Sequence, residues 1–469
     1  MVVGELSTEV DLLVIGGGPG GYTAALRAAQ LGRTVTLVER SAIGGVCLNV
    51  GCIPSKALIE LSARHHELES LATRGVVTAG VTLDFALINA SVTAAVERLT
   101  SGVKQLLHAA DVEVISGEAT FAGENEVRIQ GEGGTGHIHF RDCIVATGSV
   151  PRTLPGAEVD HARILDSTDL LFLSRLPESL VVIGGGYIGI ELGTAYARLG
   201  SKVTIVEAMP KLLGNVDPEI ERVLARSLKS LGVQVFTSAI ISSVAITEDH
   251  VEISLAGGDT PLVAEVAAVT VGRIAQINDS FQAAGIKLDP SGRVFVDQQM
   301  RTANPHVYAI GDIAPGPMLA HKAYYEAKIA AEAASGKPSA NDAVAMPAVV
   351  FSSPEVATAG LGAEEAGAMY GEIVEARFPY RANGRAVAIS ETTGEVKIVA
   401  EKSSGRILGV HIVGADASNL IGEAVLAIEL GATLEDVALT IHPHPTLTEM
   451  YPESAEVGLG HPTHLIVKR

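Results

Sequence analysis

One unit occurs twice in this chain, and that repeat limits the fold more than any other feature. Val10–Arg40 reads VDLLVIGGGPGGYTAALRAAQLGRTVTLVER, and Ser179–Ala208 reads SLVVIGGGYIGIELGTAYARLGSKVTIVEA. Each copy has a short apolar run, a G-x-G-x-x-G, a helix-period stretch closed by Leu-Gly, and a β-branched run ending in glutamate. The glycines are Gly16, Gly18 and Gly21 in the first copy and Gly184, Gly186 and Gly189 in the second. The acid, Glu39 or Glu207, follows the first glycine by 23 residues in both. One such motif is also what an ordinary strand–turn–helix corner produces, but two with the same acid offset indicate two dinucleotide-binding units. The first glycine makes the turn, the second lets a pyrophosphate touch backbone, and the third lets helix and strand pack. The helix N-terminus then holds the negative charge. Each glutamate can accept from ribose hydroxyls and repels a 2′-phosphate. Two such sites in one chain suggest electrons passing between two cofactors.

At 469 residues the chain is long enough for about three domains. Its 47% hydrophobic and 19% charged residues supply sizeable cores and rule out intrinsic disorder. Fifty glycines with few aromatics suit a protein of tight turns and close backbone approaches. With 34 Lys+Arg against 54 Asp+Glu, the net charge of −20 repels a phosphate backbone and argues against nucleic acid as a partner. No unbroken apolar run reaches the length of a membrane span, and the acidic opening MVVGELSTEV lacks the basic start of a signal peptide. We therefore expect a soluble cytoplasmic protein. Three cysteines (Cys47, Cys52, Cys143) are too few for a disulfide framework or a four-cysteine zinc site. In a reducing compartment a close pair is more often catalytic than structural.

Beyond the repeats, the pattern predicts a helix over Asp217–Leu231 and short strands within Val233–Leu255. Pro305–Asp312 reads as a strand ending in Gly-Asp, and Leu319–Gly336 as helix. Lys337–Asn341 reads as a linker. From about Ala345 strands (Val396–Ala400, Ile407–Val413) precede a helix over Ala417–Leu430, an α+β pattern joined to α/β ones.

Ile43–Leu58 reads IGGVCLNVGCIPSKAL. A helix starting near Pro54 puts Cys52 at its positive end, which lowers a thiol pKa and favours the thiolate. The plainer alternative is a pair of small buried hydrophobes. Near the other end, His444 has Glu449 five residues on, an imidazole with a carboxylate to orient it, which suits a base for thiol chemistry. His442 and His444 form an H-x-H, but no acidic or cysteine ligand set lies beside it in sequence, so we expect no metal. The pairs His65–His66, His137/His139 and His461/His464 read as surface residues, and Cys143 as core. Lys56 and Glu191, taken alone, read as a plain surface ion pair.

The string GGVCLNVGCIPSK, the two glycine units and the C-terminal HPHPTLTEM together resemble the flavin-linked pyridine-nucleotide disulfide oxidoreductases. The resemblance runs from Val10 to about Gly460 and is strongest to the branch that oxidises dihydrolipoyl groups. It implies an α/β fold of two Rossmann-like dinucleotide-binding domains plus a C-terminal α+β dimerisation domain. FAD would be bound by residues 1–152, completed by 276–344, NAD by 153–275, and 345–469 would form the interface of a homodimer. Gly16, Gly18, Gly21 and Glu39 would hold FAD, with Thr147, Gly148, Ser149, Asp312 and Met318, Leu319, Ala320 and His321. Gly184, Gly186, Gly189, Glu207 and Gly272 would hold NAD. Cys47 would meet substrate and Cys52 the flavin, with Lys56 near flavin N5 and paired to Glu191. His444 would be the acid/base and Glu449 its orienting group. The partners implied are dihydrolipoamide or the lipoyl domains of a 2-oxoacid dehydrogenase-type complex.

The chain departs from that pattern in three places. Tyr187 stands in the second glycine loop, where it could cover the nicotinamide pocket. Val271–Asp279 lacks the usual Arg-Pro-Asn after its first arginine. No lipoyl domain precedes Val10. Two alternatives stand beside the main reading. One is an NAD(P)H-dependent reductase of glutathione or another small disulfide, disfavoured because Ala208–Lys211 holds no arginine cluster for a 2′-phosphate. The other is a non-catalytic flavoprotein, disfavoured because both cysteines, His444 and Glu449 are all present.

Overall fold

Both repeats fold as the same strand–turn–helix–strand corner. The computed structural model describes residues 7–466 apart from 78, 132, 133 and 215 and the side chains of 69 and 70; most of the acidic opening lies outside the described residues. Ser7–Ile15 leads through helix Pro19–Gln30 to strand Val35–Glu39, and Ser179–Ile183 leads through helix Tyr187–Leu199 to strand Lys202–Val206. Both strand pairs are parallel. Their central residues, such as Leu12, Val14, Leu180 and Val182, are fully buried, which is why these strands read as continuous apolar runs. The Leu-Gly stop works through Gly200, left-handed at φ +112° where a side chain would be strained.

The first corner belongs to a seven-stranded sheet. Strand Val307–Ala309, from far down the chain, pairs in parallel with Gly134–Val145 of that sheet. The second corner lies in a five-stranded parallel sheet. The C-terminal part is a five-stranded antiparallel sheet. Its core, including Phe378, Ile398, Ile412 and Met450, packs against helices Ala417–Glu429 and Met450–Leu459. The helix expected over Asp217–Leu231 spans Pro218–Ser230 with the Asp217 side chain as its cap, and the one expected over Leu319–Gly336 spans Ala320–Ala334.

The stretch Gly45–Leu68 is long and apolar enough for a membrane span, with a mean hydropathy of 1.3. It is two helices, Gly45–Val50 and Cys52–Ala72, broken at Gly51. The second packs along Tyr187–Leu199.

The C-terminal sheet is tied to the second corner's unit by a buried charge cluster. Lys397, 2% exposed, bonds Asp217 Oδ2 at 2.7 Å and Glu375 Oε2 at 2.5 Å. Burial pushes the Asp217 carboxyl up, but the Lys397 ammonium outweighs it and holds the group below the usual carboxylate range. Lys397→Met leaves the buried Asp217 carboxylate without its bonded cation, while Glu375 keeps Arg377. We expect it to cost about 3–5 kcal/mol of stability, read as a lowered denaturant midpoint, with Asp217→Asn in the same chain restoring part of the loss. An unchanged midpoint would remove this cluster from the account of how the two parts are joined.

Candidate active site

At each corner two of the three glycines are required by the chain itself. A Cβ on Gly21 would lie 1.7 Å from Gly16 O, and one on Gly189 would lie 2.1 Å from Gly184 O. Gly16 and Gly184 have φ of +102° and +110° and face backbone oxygens of remote segments, Ala146 O and Thr270 O. The middle glycines differ. Gly186 has nothing within 4 Å of its Cβ position, and Gly18 has only Gly45 Cα at 3.9 Å. Both have ordinary extended backbone. The missing side chain leaves room at a helix N-terminus, where a pyrophosphate meets backbone N–H groups. The donor set and the room fit two dinucleotide cofactors. The acids fasten the same loops: Glu39 accepts from Gly17 N and Glu207 from Gly185 N, each at 2.6 Å.

A cavity of about 420 Å³ opens from the first corner. Of the residues expected at FAD, Gly16, Gly18, Glu39, Lys56, Thr147, Gly148, Ser149, Asp312, Met318 and Ala320 line it, as do Cys47 and Cys52. Gly21 lies beneath the loop, against Gly16 O. Leu319 is not among the lining residues, nor is His321, whose Nε2 bonds Pro347 O at 2.7 Å in an exposed position. Gly184, Gly186, Gly189, Glu207 and Gly272 are also outside this cavity, at the second corner and its neighbouring loop. Tyr187 and Glu191 reach it from that side.

Sequence reasoning did not assign Arg273. Its Nε donates to Ser149 Oγ at 2.8 Å and its Nη2 to Ser149 O at 2.7 Å, while Ser149 Oγ donates to Asp312 Oδ2 at 2.5 Å. The loop without Arg-Pro-Asn is therefore anchored by its one arginine and by Gln276 N on Gly148 O. Tyr187 stands beside Arg273, and burial pushes its phenol up to about 12.

The helix carrying the second cysteine begins at Cys52 itself, two residues earlier than the expected start near Pro54. Cys47 lies on the separate short helix Gly45–Val50, entered through left-handed Gly44. Both cysteines are free thiols and half-buried. The hydrogen bond from Cys47, aided by the Lys56 ammonium, outweighs burial and brings Cys52 down to about 7; the same contact, with burial, drives Cys47 well up. The pair is thus asymmetric, with the thiolate at the helix N-terminus. Lys56 Nζ lies 2.7 Å from Glu191 Oε2, whose side chain is 4% exposed, so the pair is no ordinary surface bridge.

His444 lies on a loop of the C-terminal part and is absent from the cavity lining. Its Nδ1 bonds Glu449 Oε1 at 2.8 Å, and Glu449 Oε2 accepts from Thr446 N at 2.8 Å. Burial pushes the Glu449 carboxyl up, but the Thr446 N–H and His444 outweigh it, and the group ends below its usual range. With Nδ1–H donated to the carboxylate, Nε2 carries the lone pair of a base on an exposed ring. The H-x-H does not act as a unit. His442 is buried against Glu423, and among the described residues no three side chains are grouped as metal ligands. His65, His66, His137 and His139 are half-buried, against the surface expectation, because helix and strand neighbours cover them; His65 Nδ1 bonds Arg198 O and His137 Nδ1 bonds Glu126. His461 and His464 are exposed, and Cys143 is fully buried.

The Cys52 environment sets a pH dependence. Alkylation of the reduced enzyme should rise through about pH 7, as the thiolate forms. Lys56→Met removes the cation that favours the thiolate, so the midpoint should move up. Rates followed by mass spectrometry, with Cys52→Ser as reference, decide this; an unmoved midpoint would remove Lys56 from the account.

Residues 10–327 match the family model described as pyridine nucleotide-disulphide oxidoreductase, and residues 346–455 match that family's dimerisation domain. The chain is 48% identical to a dihydrolipoyl dehydrogenase of Geobacillus stearothermophilus, with all of both chains covered. It is 45% identical to one of Bacillus subtilis, covering 99% of this chain and 100% of the other. Among solved structures it is similar to LpdA from Mycobacterium tuberculosis, with a TM-score of 0.89, 30% identity, and 96% and 99% of the two chains covered. It is also similar to the HOCl-induced flavoprotein disulfide reductase RclA from Escherichia coli, with a TM-score of 0.85, 26% identity, and 95% and 99% covered. A repeated dinucleotide corner, an asymmetric dithiol beside the cavity and full-length likeness to these enzymes agree: the chain belongs to the pyridine nucleotide-disulphide oxidoreductase family.

Proposed function

We infer that this enzyme oxidises dihydrolipoyl groups to the lipoyl disulfide, with FAD and NAD⁺ as cofactors. The observation that carries the reading is the Cys47–Cys52 pair, made unequal by the hydrogen bond between the two sulfurs and by Lys56, and placed on a cavity that a dinucleotide loop bounds. Residues 1–152 and 276–344 form the FAD part in this reading, 153–275 the NAD part and 345–469 the interface. FAD, when bound, supplies the two-electron relay between a dithiol and a nicotinamide.

The chain's own groups manage protons and thiols. His444 Nε2 takes the proton of a dihydrolipoyl thiol, and that sulfur attacks Cys47 Sγ of the Cys47–Cys52 disulfide. The disulfide breaks, and Cys52 leaves as the thiolate that its position favours. The second substrate sulfur attacks the substrate sulfur of the mixed disulfide, which forms the lipoyl disulfide and breaks the bond to Cys47; its proton passes to the departing Cys47 sulfur, while His444 keeps the first. Passing two electrons on to NAD⁺ restores the enzyme disulfide. Glu207, with no arginine in Ala208–Lys211, supports NAD⁺ over NADP⁺. Cysteine usage supports a cytoplasmic setting, and lipoyl domains are the macromolecular partners this reading implies.

Turnover of dihydrolipoamide with NAD⁺ tests the reading directly, beside glutathione disulfide with NADPH. Faster turnover of the second couple would overturn it. We expect Glu207→Ala to narrow the NAD⁺ preference without inverting it.

The exposed His444, on the part that matches the dimerisation domain, supports a site shared between two copies, each histidine serving the partner's cysteines. Neither Cys47→Ser nor His444→Ala homodimers should turn over. Heterodimers of the two have one intact site, and about half the wild-type rate per dimer should return. No recovery from verified heterodimers would place both residues in one chain's site.

A further inference from the structure

His442, the H-x-H residue without a role so far, points into the protein while His444 points out. Its side chain is 7% exposed. Nδ1 lies 2.9 Å from Thr440 O, and Nε2 lies 2.7 Å from Glu423 Oε1. Glu423 belongs to helix Ala417–Glu429, which packs on the C-terminal sheet. The segment from Thr440 to Thr446 has no regular backbone bonding of its own. Ile441 on one side of His442 is 96% exposed, and the His444 ring on the other is 77% exposed. His442 is therefore the ring that ties the first half of this loop to a helix, and Asn383 Nδ2 on Thr446 O, at 3.0 Å, ties the second half.

Two histidine–carboxylate pairs then stand side by side with different tasks. The His444–Glu449 pair sets which nitrogen of His444 is basic. Through Thr446 N it also fastens the loop after His444, but it holds nothing in the stretch before it. We propose that His442 and Glu423 are positioning residues that hold the His444 backbone at the height needed to reach a substrate thiol. The proposal rests on the proton-transfer role given to His444 above. A displacement of about 1 Å at such a group can cost on the order of a hundredfold in rate, so a tether two residues away has ample leverage.

The test uses the FAD-loaded enzyme and two activities. Oxidation of dihydrolipoamide needs His444, whereas oxidation of NADH by ferricyanide bypasses the thiols and the histidine. His442→Ala and Glu423→Ala should each lower kcat with dihydrolipoamide by roughly ten- to a hundredfold, and leave the ferricyanide rate within about twofold. Glu423→Gln, which keeps an acceptor for the ring, should recover most of the loss. Placed on His444→Gln, His442→Ala should add less than about twofold, because residues that act through one group are not additive. Full activity in both alanine variants, the same fold loss with and without His444, or loss of the ferricyanide rate in both variants would each overturn the proposal. If His444→Gln itself turned over dihydrolipoamide normally, the reading of His444 would fall, a result distinct from any of these.

Discussion

One buried carboxylate joins three parts of this molecule beside the cysteine pair. Glu191, on the helix of the second glycine corner, accepts from Lys56 Nζ on the cysteine helix at 2.7 Å and from Phe351 N of the C-terminal part at 2.9 Å. Lys56 also stands over the Phe351 ring, 4.6 Å from its centre. A carboxylate taken this far out of water is tolerable only when both oxygens are matched, and removing one partner from such a pair costs several kcal/mol. The Lys56 ammonium, fixed by this contact, also helps the Cys47 hydrogen bond to bring the Cys52 thiol down. Assembly of the parts and reactivity of the thiol therefore depend on the same ion pair.

The two glycine corners show how one local solution serves two places. In each, a glutamate at the end of the second strand accepts from the backbone N–H of the residue after the first glycine. That bond holds the loop open, and the middle glycine keeps the space clear. The corners differ in what surrounds them. The first is walled by both cysteines and by the strand–turn that ends in Asp312, whereas Tyr187, at the start of the second helix, faces the first corner's cavity. Arg273 anchors the wall between them through both oxygens of Ser149.

The histidine we infer to be the acid–base group does not line the cavity of the cysteine pair. His444 is on the C-terminal part, exposed and oriented by Glu449, while the thiols are held among the elements of the two dinucleotide corners. An exposed base cannot serve a half-buried dithiol in another part unless something brings them together, and self-association through the dimerisation domain is the means we infer. The separation also explains why the loop of His444 needs fastening of its own.

The amino-acid sequence by itself determined those features whose cause is short-ranged. Glycine spacing follows from steric limits within a single turn, and Gly21 against Gly16 O is such a limit. Cys52 near a helix start and Glu449 five residues from His444 are local too, so their chemistry was legible before any packing was known. Tertiary structure decided the rest, because the partners are remote in the chain. Arg273 meets Ser149 across 124 residues, and Glu191 meets Phe351 across 160; no local pattern marks either contact. The two histidines of the H-x-H look equivalent in sequence, and only Glu423 packed beside one of them separates a buried ring from an exposed one. The apolar stretch Gly45–Leu68 and the half-buried His65 and His66 follow the same rule. Composition records how much can be buried, whereas which side is buried depends on what the rest of the chain lays against it.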